Sequence, residues 1–291
     1  MKASPGVISP PYAKTAPAEP KAPAFVPGPG RAVLAIVRRD AAERRFLGMP
    51  FVLDFLFGIV NLAVFLFISR VLRHPAQPRL GRSGSYFDFV AVGLAFMLVV
   101  QAAGTQITVR IDEERRSGTL EILATQPIGT VAVALGLSTY PMVFAVVRAG
   151  AYLGVATALL GLDVGSANWL GVAVVLLLGG AVTMCFGIAL AAFAVAFEHG
   201  NTLGRLVILA LAFGSGTYFP VTALPAALRW VSMLLPTRIA LDGLRAALTG
   251  GGWTGSALLL VGAVLVCLPL AVWLFGQALK LATRRGTLTR S

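Results

Sequence analysis

Apolar residues run along this chain in blocks of about twenty, the length of helix that crosses the hydrocarbon core of a bilayer, and polar residues gather between the blocks. Six blocks mark predicted spans: Phe51–Ser69, Phe87–Val109, Thr139–Leu160, Trp169–Phe197, Leu206–Val221 and Ser256–Leu279. The third lies inside Ile128–Leu162, too long for one simple crossing at 1.5 Å per residue. Pro141 is expected to separate an interfacial stretch from the span proper. An outer-membrane barrel is disfavoured, because its strands alternate polar and apolar residues.

The flanks have patterns of their own. Arg31–Leu47 reads as a helix with Val33, Ile36 and Val37 on one face and Arg38, Arg39 and Arg45 away from it, although Asp40 and Arg44 interrupt the apolar side. It is expected as an amphipathic interfacial helix over 30–48; a solvated charged helix is the alternative. Residues 1–29 hold eight prolines among Ala, Lys and Ser, a composition that cannot pack a core and predicts a disordered tail. The transmembrane domain is expected over 49–283, with a basic C-terminal tail at 284–291. After the fifth block, Pro220, Pro225 and Pro236 punctuate a stretch carrying Leu224, Leu228, Val231, Leu234 and Leu235. It is too short and broken to span, and predicts two half-inserted helices as a re-entrant hairpin at the outer face. An exit gate (Phe219, Pro220, Leu224, Pro225, Pro236) and a packed extracellular cap are both compatible with it.

Composition excludes an ordinary soluble domain. Of 291 residues, 57% are apolar and 12% charged, with mean hydropathy +0.83, whereas soluble domains carry about 25% charged residues. The net charge of +12 suggests nucleic acid in a soluble protein, but here the basic residues cluster beside spans, as topology signals and contacts for anionic lipid. With the N-terminus inside, inside segments hold 16 Lys and Arg and outside segments 7. Both termini are therefore expected in the cytoplasm, with Arg70, Arg73, Arg79 and Arg82 as the counter-indication. Cys185 and Cys267 sit in apolar runs and read as small apolar residues, and His74 and His199 are isolated, so neither a metal site nor a catalytic arrangement is expected.

Polar residues inside the spans are candidates for function, because charge there is costly. Asp54 and Asn61 share a face of the first span, and Arg148 lies near the middle of the third. Together with Gly214 and Gly216 they form the candidate pathway or intramembrane-pair set. A structural ion pair and contact with cargo both remain open for Arg148. Gly179, Gly180 and Gly187 are read as close-packing positions.

The loop after the second span is the most charged part of the chain: seven of the twelve residues from Arg110 to Glu121 are ionisable. Ser117 or Thr119 is placed to cap a short helix carrying Leu120, Ile122 and Leu123 and ending at Pro127. Such a helix can dock in a partner's groove, or the loop can simply anchor the helix ends.

The run Glu113-Glu114-Arg115-Arg116-Ser117-Gly118-Thr119-Leu120-Glu121 with Pro127 resembles the corresponding loop of ABC-2 type transporter permeases. The stretch from Gly216 to Pro236, with Leu241-Asp-Gly-Leu-Arg245, is similar to that family's proline-punctuated segment before the last span. The resemblance implies an all-α membrane protein with six transmembrane helices, an N-terminal interfacial helix, a cytoplasmic coupling helix at Glu113–Glu121 and a re-entrant hairpin before the last helix. It also implies a non-catalytic permease subunit in a bacterial plasma (inner) membrane, working as a homodimer or heterodimer with two copies of a separate nucleotide-binding ATPase. That ATPase would carry ATP and Mg, since this chain has no GxxxxGK[ST] run to cradle phosphates. The expected cargo is a hydrophobic or amphipathic substrate, drug-like or lipid. The alternatives are a lipid-linked polysaccharide exporter and an ion-coupled secondary transporter.

Overall fold

The computed structural model describes residues 28–43, 49–71, 85–119, 129–196, 200–223 and 225–285. Among these the chain is helical: α1 Pro29–Glu43, α2 Met49–Val71, α3 Tyr86–Gln101, a π-helical turn Ala102–Gln106, α4 Ile107–Arg116, α5 Thr130–Leu160, α6 Trp169–Ala196, α7 Gly200–Gly214, α8 Ala226–Leu234, α9 Pro236–Leu248 and α10 Thr254–Arg285. Among the described residues, four helices are long and apolar enough to cross a membrane: Tyr86–Arg116, Thr130–Leu160, Trp169–Ala196 and Thr254–Ala282. Helix α2 contributes a shorter apolar stretch, Phe55–Val71. The tail residues 1–27, the loop 120–128 and residues 286–291 lie outside the described part.

Three expectations change. The fifth span, expected over Leu206–Val221, is helical over Gly200–Gly214 only, and the backbone turns out of the helix before Gly216, whose φ is 78°. Pro141 does not divide the third block: α5 runs unbroken for 31 residues with Pro141 inside it. Proline removes one helical hydrogen bond, and packing on both sides outweighs that loss. Ile36 of α1 lies against Gly136, and Val146 lies against Gly180 of α6. Likewise the charged stretch does not begin as a loop, because α3, the π turn and α4 form one continuous helix to Arg116. The bulge falls where Thr105 Oγ1 donates to Gln101 O (2.7 Å) and Thr108 Oγ1 donates to Gly104 O (3.3 Å). Hydroxyls that bond back to the preceding turn loosen a helix, and π turns are commonly single insertions of this kind.

The core runs between α3, α5, α6, α9 and α10, with Phe96, Leu137, Ile188, Leu241 and Phe275 fully buried. Glycine sets how closely the helices approach. A Cβ at Gly179 would meet Ala240 and Phe96, and one at Gly187 would meet the carbonyl oxygen of Ala103 at 2.6 Å. The packing reading of these glycines therefore holds. Cys185 is buried and Cys267 half-buried, both as free thiols. The outward faces of α2, α8 and α10 present large apolar side chains, among them Phe57, Phe67, Trp230, Leu234, Leu258 and Leu265. An apolar exterior of this extent suits hydrocarbon rather than water.

Candidate functional site

Three groups of candidate residues fall in three places. At one end of the long α3–α4 helix lies a buried cluster of charge. Arg110 donates through Nη2 to Asp40 of α1 (2.6 Å) and pairs with Glu114 one helical turn on (3.0 Å). Arg39 of α1 bridges the same two carboxylates, at 3.2 Å from Asp40 and 2.6 Å from Glu114. Asp40 and Glu114 are only 1% and 5% exposed. Asp40, an unexplained break in the apolar face of α1, is therefore the residue that joins α1 to α4.

Of the predicted coupling residues, Glu113 and Arg116 point outward. Glu113 is half exposed at 3.5 Å from Arg110, and Arg116 pairs with Asp112 at 2.9 Å on the surface. Glu114 points inward. Ser117 closes α4 rather than opening the next helix: its hydroxyl donates back to Glu114 O (3.1 Å) and lies 2.9 Å from Thr119 Oγ1. Gly118 takes a left-handed φ of 73°, which ends the helix at low cost only because it has no Cβ. Arg115 is half-buried in the last turn of α4. Leu120, Glu121 and Pro127 lie outside the described residues.

Further along the same helix is a cavity of about 210 Å³ between α2, α3 and α5. It gathers Asn61 from α2, Gln101 from α3 and Arg148 from α5, with Phe57, Leu94, Met97 and Leu98 as its apolar wall. Tyr152 donates to Phe55 O (3.2 Å) and stands edge-on to the Phe55 ring at 4.9 Å. Gly58 leaves room for the Tyr152 hydroxyl, which a Cβ would strike. Asn61 and Arg148 are thus brought together. Asp54 lies one turn before Gly58 on α2, and its side chain is outside the described part. Gln101, which is not among the expected site residues, lines the cavity with them.

The third group is the segment after α7, whose residue Tyr218 lines this cavity. The chain leaves helical geometry at Ser215, and Gly216 has φ 78°. Gly214 receives a hydrogen bond at its carbonyl from Ser232 Oγ. Phe219 rests 6.0 Å from Phe213, and Pro220 precedes the short turn Val221–Ala223. Pro225 caps α8, and Pro236 starts α9. Leu224 lies outside the described residues. The stretch up to Pro236 thus holds one short helix, α8, where two were expected; the second, α9, begins at Pro236 and runs on to Leu248. Unforeseen as a site residue is Arg245 of α9, only 8% exposed. Its Nη2 donates to Gly216 O (2.9 Å) and Phe89 O (3.1 Å), and its guanidinium carbon lies 3.6 Å from the centroid of the Phe89 ring. The available signal was a single cation on the apolar face made by Ala240, Leu241, Leu244, Ala247 and Leu248.

Among the described residues, no group of three or more His, Cys, Asp or Glu side chains is arranged to hold a metal. Long apolar helices and an apolar exterior define a multi-pass helical membrane protein. Residues 31–249 match the ABC-2 type transporter family, and the chain belongs to it. It is a non-catalytic transmembrane permease, of a family that usually carries no cofactor and generally pairs with nucleotide-binding subunits. The match takes in α1 through α9 and stops before α10. No individually curated protein matches the chain.

Proposed function

We propose that this permease is an exporter subunit that moves a hydrophobic or amphipathic compound, drug-like or lipid, along the cavity between α2, α3 and α5. The observation that carries this reading is the cavity's wall. Three polar side chains, Asn61, Gln101 and Arg148, line it among mainly aromatic and aliphatic neighbours. Sites for small amphiphiles are mostly apolar with a few converging polar groups.

Six spans complete the architecture in this reading. Helix α2, at 23 residues, reaches about 34 Å. Helix α7, at 15 residues, reaches about 22 Å, and the non-helical segment after it supplies the rest of the crossing. Helices α8 and α9 form the re-entrant hairpin, with Phe219, Pro220, Leu224, Pro225 and Pro236 at the exit gate. Glu113 to Glu121 form the coupling element for two ATPase subunits, which bind ATP and Mg. A second permease subunit completes the path at the face carrying Gly214 and Gly216. Both termini lie in the cytoplasm of a bacterial inner membrane.

The test is reconstitution with the ATPase in proteoliposomes. Candidate amphiphiles are expected to stimulate ATP hydrolysis, and Asn61→Ala with Gln101→Ala is expected to reduce that stimulation about tenfold, the loss of roughly one well-made polar contact. Unchanged stimulation and transport in the double variant would remove the cavity from the path.

A further inference from the structure

Residues 215–220 carry unpaired-by-helix backbone at the end of a short membrane helix, where water is scarce and each carbonyl needs a partner. Partners for carbonyls in and beside this segment come from side chains of other elements. Ser232 of α8 holds Gly214 O, Arg245 of α9 holds Gly216 O, Tyr86 of α3 holds Tyr218 O at 3.3 Å, and Arg229 of α8 holds Thr222 O at 2.9 Å. A fifth contact needs no side chain at all. Gly93 of α3 is bare, and the Thr217 carbonyl packs so close against it that a Cβ would collide with the oxygen.

Arg245 differs from the other donors because it holds two elements at once. One nitrogen reaches both the segment and the first turn of α3, and the guanidinium stacks on Phe89. A helical carbonyl keeps a second lone pair for such a donor, and a charged donor makes a bond roughly twice as strong as a neutral one. The consequence reaches the cavity. Tyr218, two residues beyond Gly216, lines it and packs at 6.1 Å from Phe65 and 6.2 Å from Phe213.

We infer that Arg245 is the positioning residue of a latch: by fixing Gly216 to Phe89 it holds the Tyr218 ring across the cavity and keeps that end shut. Arginine keeps its proton, so the latch opens by movement of α9 and not by titration. A displacement of α9 that withdraws the guanidinium frees both carbonyls together, and Tyr218 swings out with its segment. The role assigned to the latch rests on the cavity being the path.

The test reads the latch without any cargo. In the full-length chain with Cys185→Ala and Cys267→Ala, the buried Ser215 is replaced as Ser215→Cys, and its labelling by a water-soluble maleimide is timed in nanodiscs. Arg245→Gln is expected to speed labelling about tenfold, the loss of hydrogen bonds from a charged donor. Arg245→Lys, which keeps a charged nitrogen in reach, restores most of the slow rate. Phe89→Leu removes the ring and leaves the carbonyl, and is expected to speed labelling about threefold. Wild-type labelling rates in folded, monodisperse Arg245→Gln overturn the inference. Should that variant not fold, a wild-type rate in folded Phe89→Leu does the same. The two readings fail separately. Fast labelling in Arg245→Gln with intact transport in the Asn61 and Gln101 variants sinks only the path, whereas unchanged labelling with lost transport sinks only the latch.

Discussion

Arg110 stands between two buried carboxylates, and its removal takes a cation from both, with Arg39 left beside them among the described residues. A buried charge stripped of its partner costs more than the pair was worth. Arg110→Met is therefore expected to destabilise the permease by about 3 kcal/mol, read as a loss of thermal stability in detergent. Glu113 and Glu114 are neighbours in the sequence with opposite surroundings, so charge reversal separates two roles. Glu114→Arg is expected to lower stability by a similar amount, about 3 kcal/mol, by setting a cation against Arg110 and Arg39 in a buried site. Glu113→Arg, on a half-exposed side chain, is expected to leave stability within about 0.5 kcal/mol while weakening association with the ATPase, measured by co-purification. Normal association of Glu113→Arg would remove that side chain from the docking surface. At this scale the sequence was legible for type and silent on direction. Spacing marks Glu113 and Glu114 as one charged run, and only the packing of α1 against α4 makes one of them a core residue. Asp40 and Arg245 escaped for the same reason: each takes its meaning from a partner 70 or 156 positions away.

The elements themselves were written plainly in the chain, because twenty apolar residues in succession have few other fates in a bilayer protein. Helix α6, expected over Trp169–Phe197, runs Trp169–Ala196, and α10, expected over Ser256–Leu279, runs Thr254–Arg285. What periodicity could not show is how elements continue or stop. The α3–α4 helix passes straight from apolar to charged sequence, and α5 passes through Pro141, since tertiary contacts override local preference at both places. Close approach between elements yields a test at Gly93. A methyl group there would collide with the Thr217 carbonyl, backbone that cannot rotate away as a side chain can. Gly93→Ala is expected to cost about 1–3 kcal/mol and to pull the 215–220 segment from α3, so that Ser215→Cys labels faster even with Arg245 in place. Slow labelling in a folded Gly93→Ala variant would mean that the segment is held from α8 and α9 alone.

For the molecule as a whole, the long Tyr86–Arg116 helix, 31 residues, is a ruler of about 46 Å. At its start, Asp163 N donates to Asp88 Oδ1 at 3.4 Å, which brings the α5–α6 loop to that end. Asn168 N donates to Ala247 O at 2.8 Å, and a Cβ at Gly250 would meet Ser166 O at 3.0 Å, so the α9–α10 turn joins it there. At the far end lie α1 and α4 with Arg31, Arg38, Arg39, Arg115 and Arg116. The basic end is expected in the cytoplasm, since Lys and Arg near helix ends set orientation. Two exposed serines report it. Ser117 lies at the basic end and Ser166 at the other, both open to solvent. In intact cells, with the native cysteines replaced by alanine, Ser166→Cys is expected to react with a membrane-impermeant maleimide, and Ser117→Cys only after the cells are opened. The reverse pattern would put the 113–121 run on the side without ATP. It would refute the coupling reading outright, because no ATPase could then reach Glu113, Arg116 or Ser117, while leaving the Arg245 latch, which depends on packing and not on orientation, as it stands.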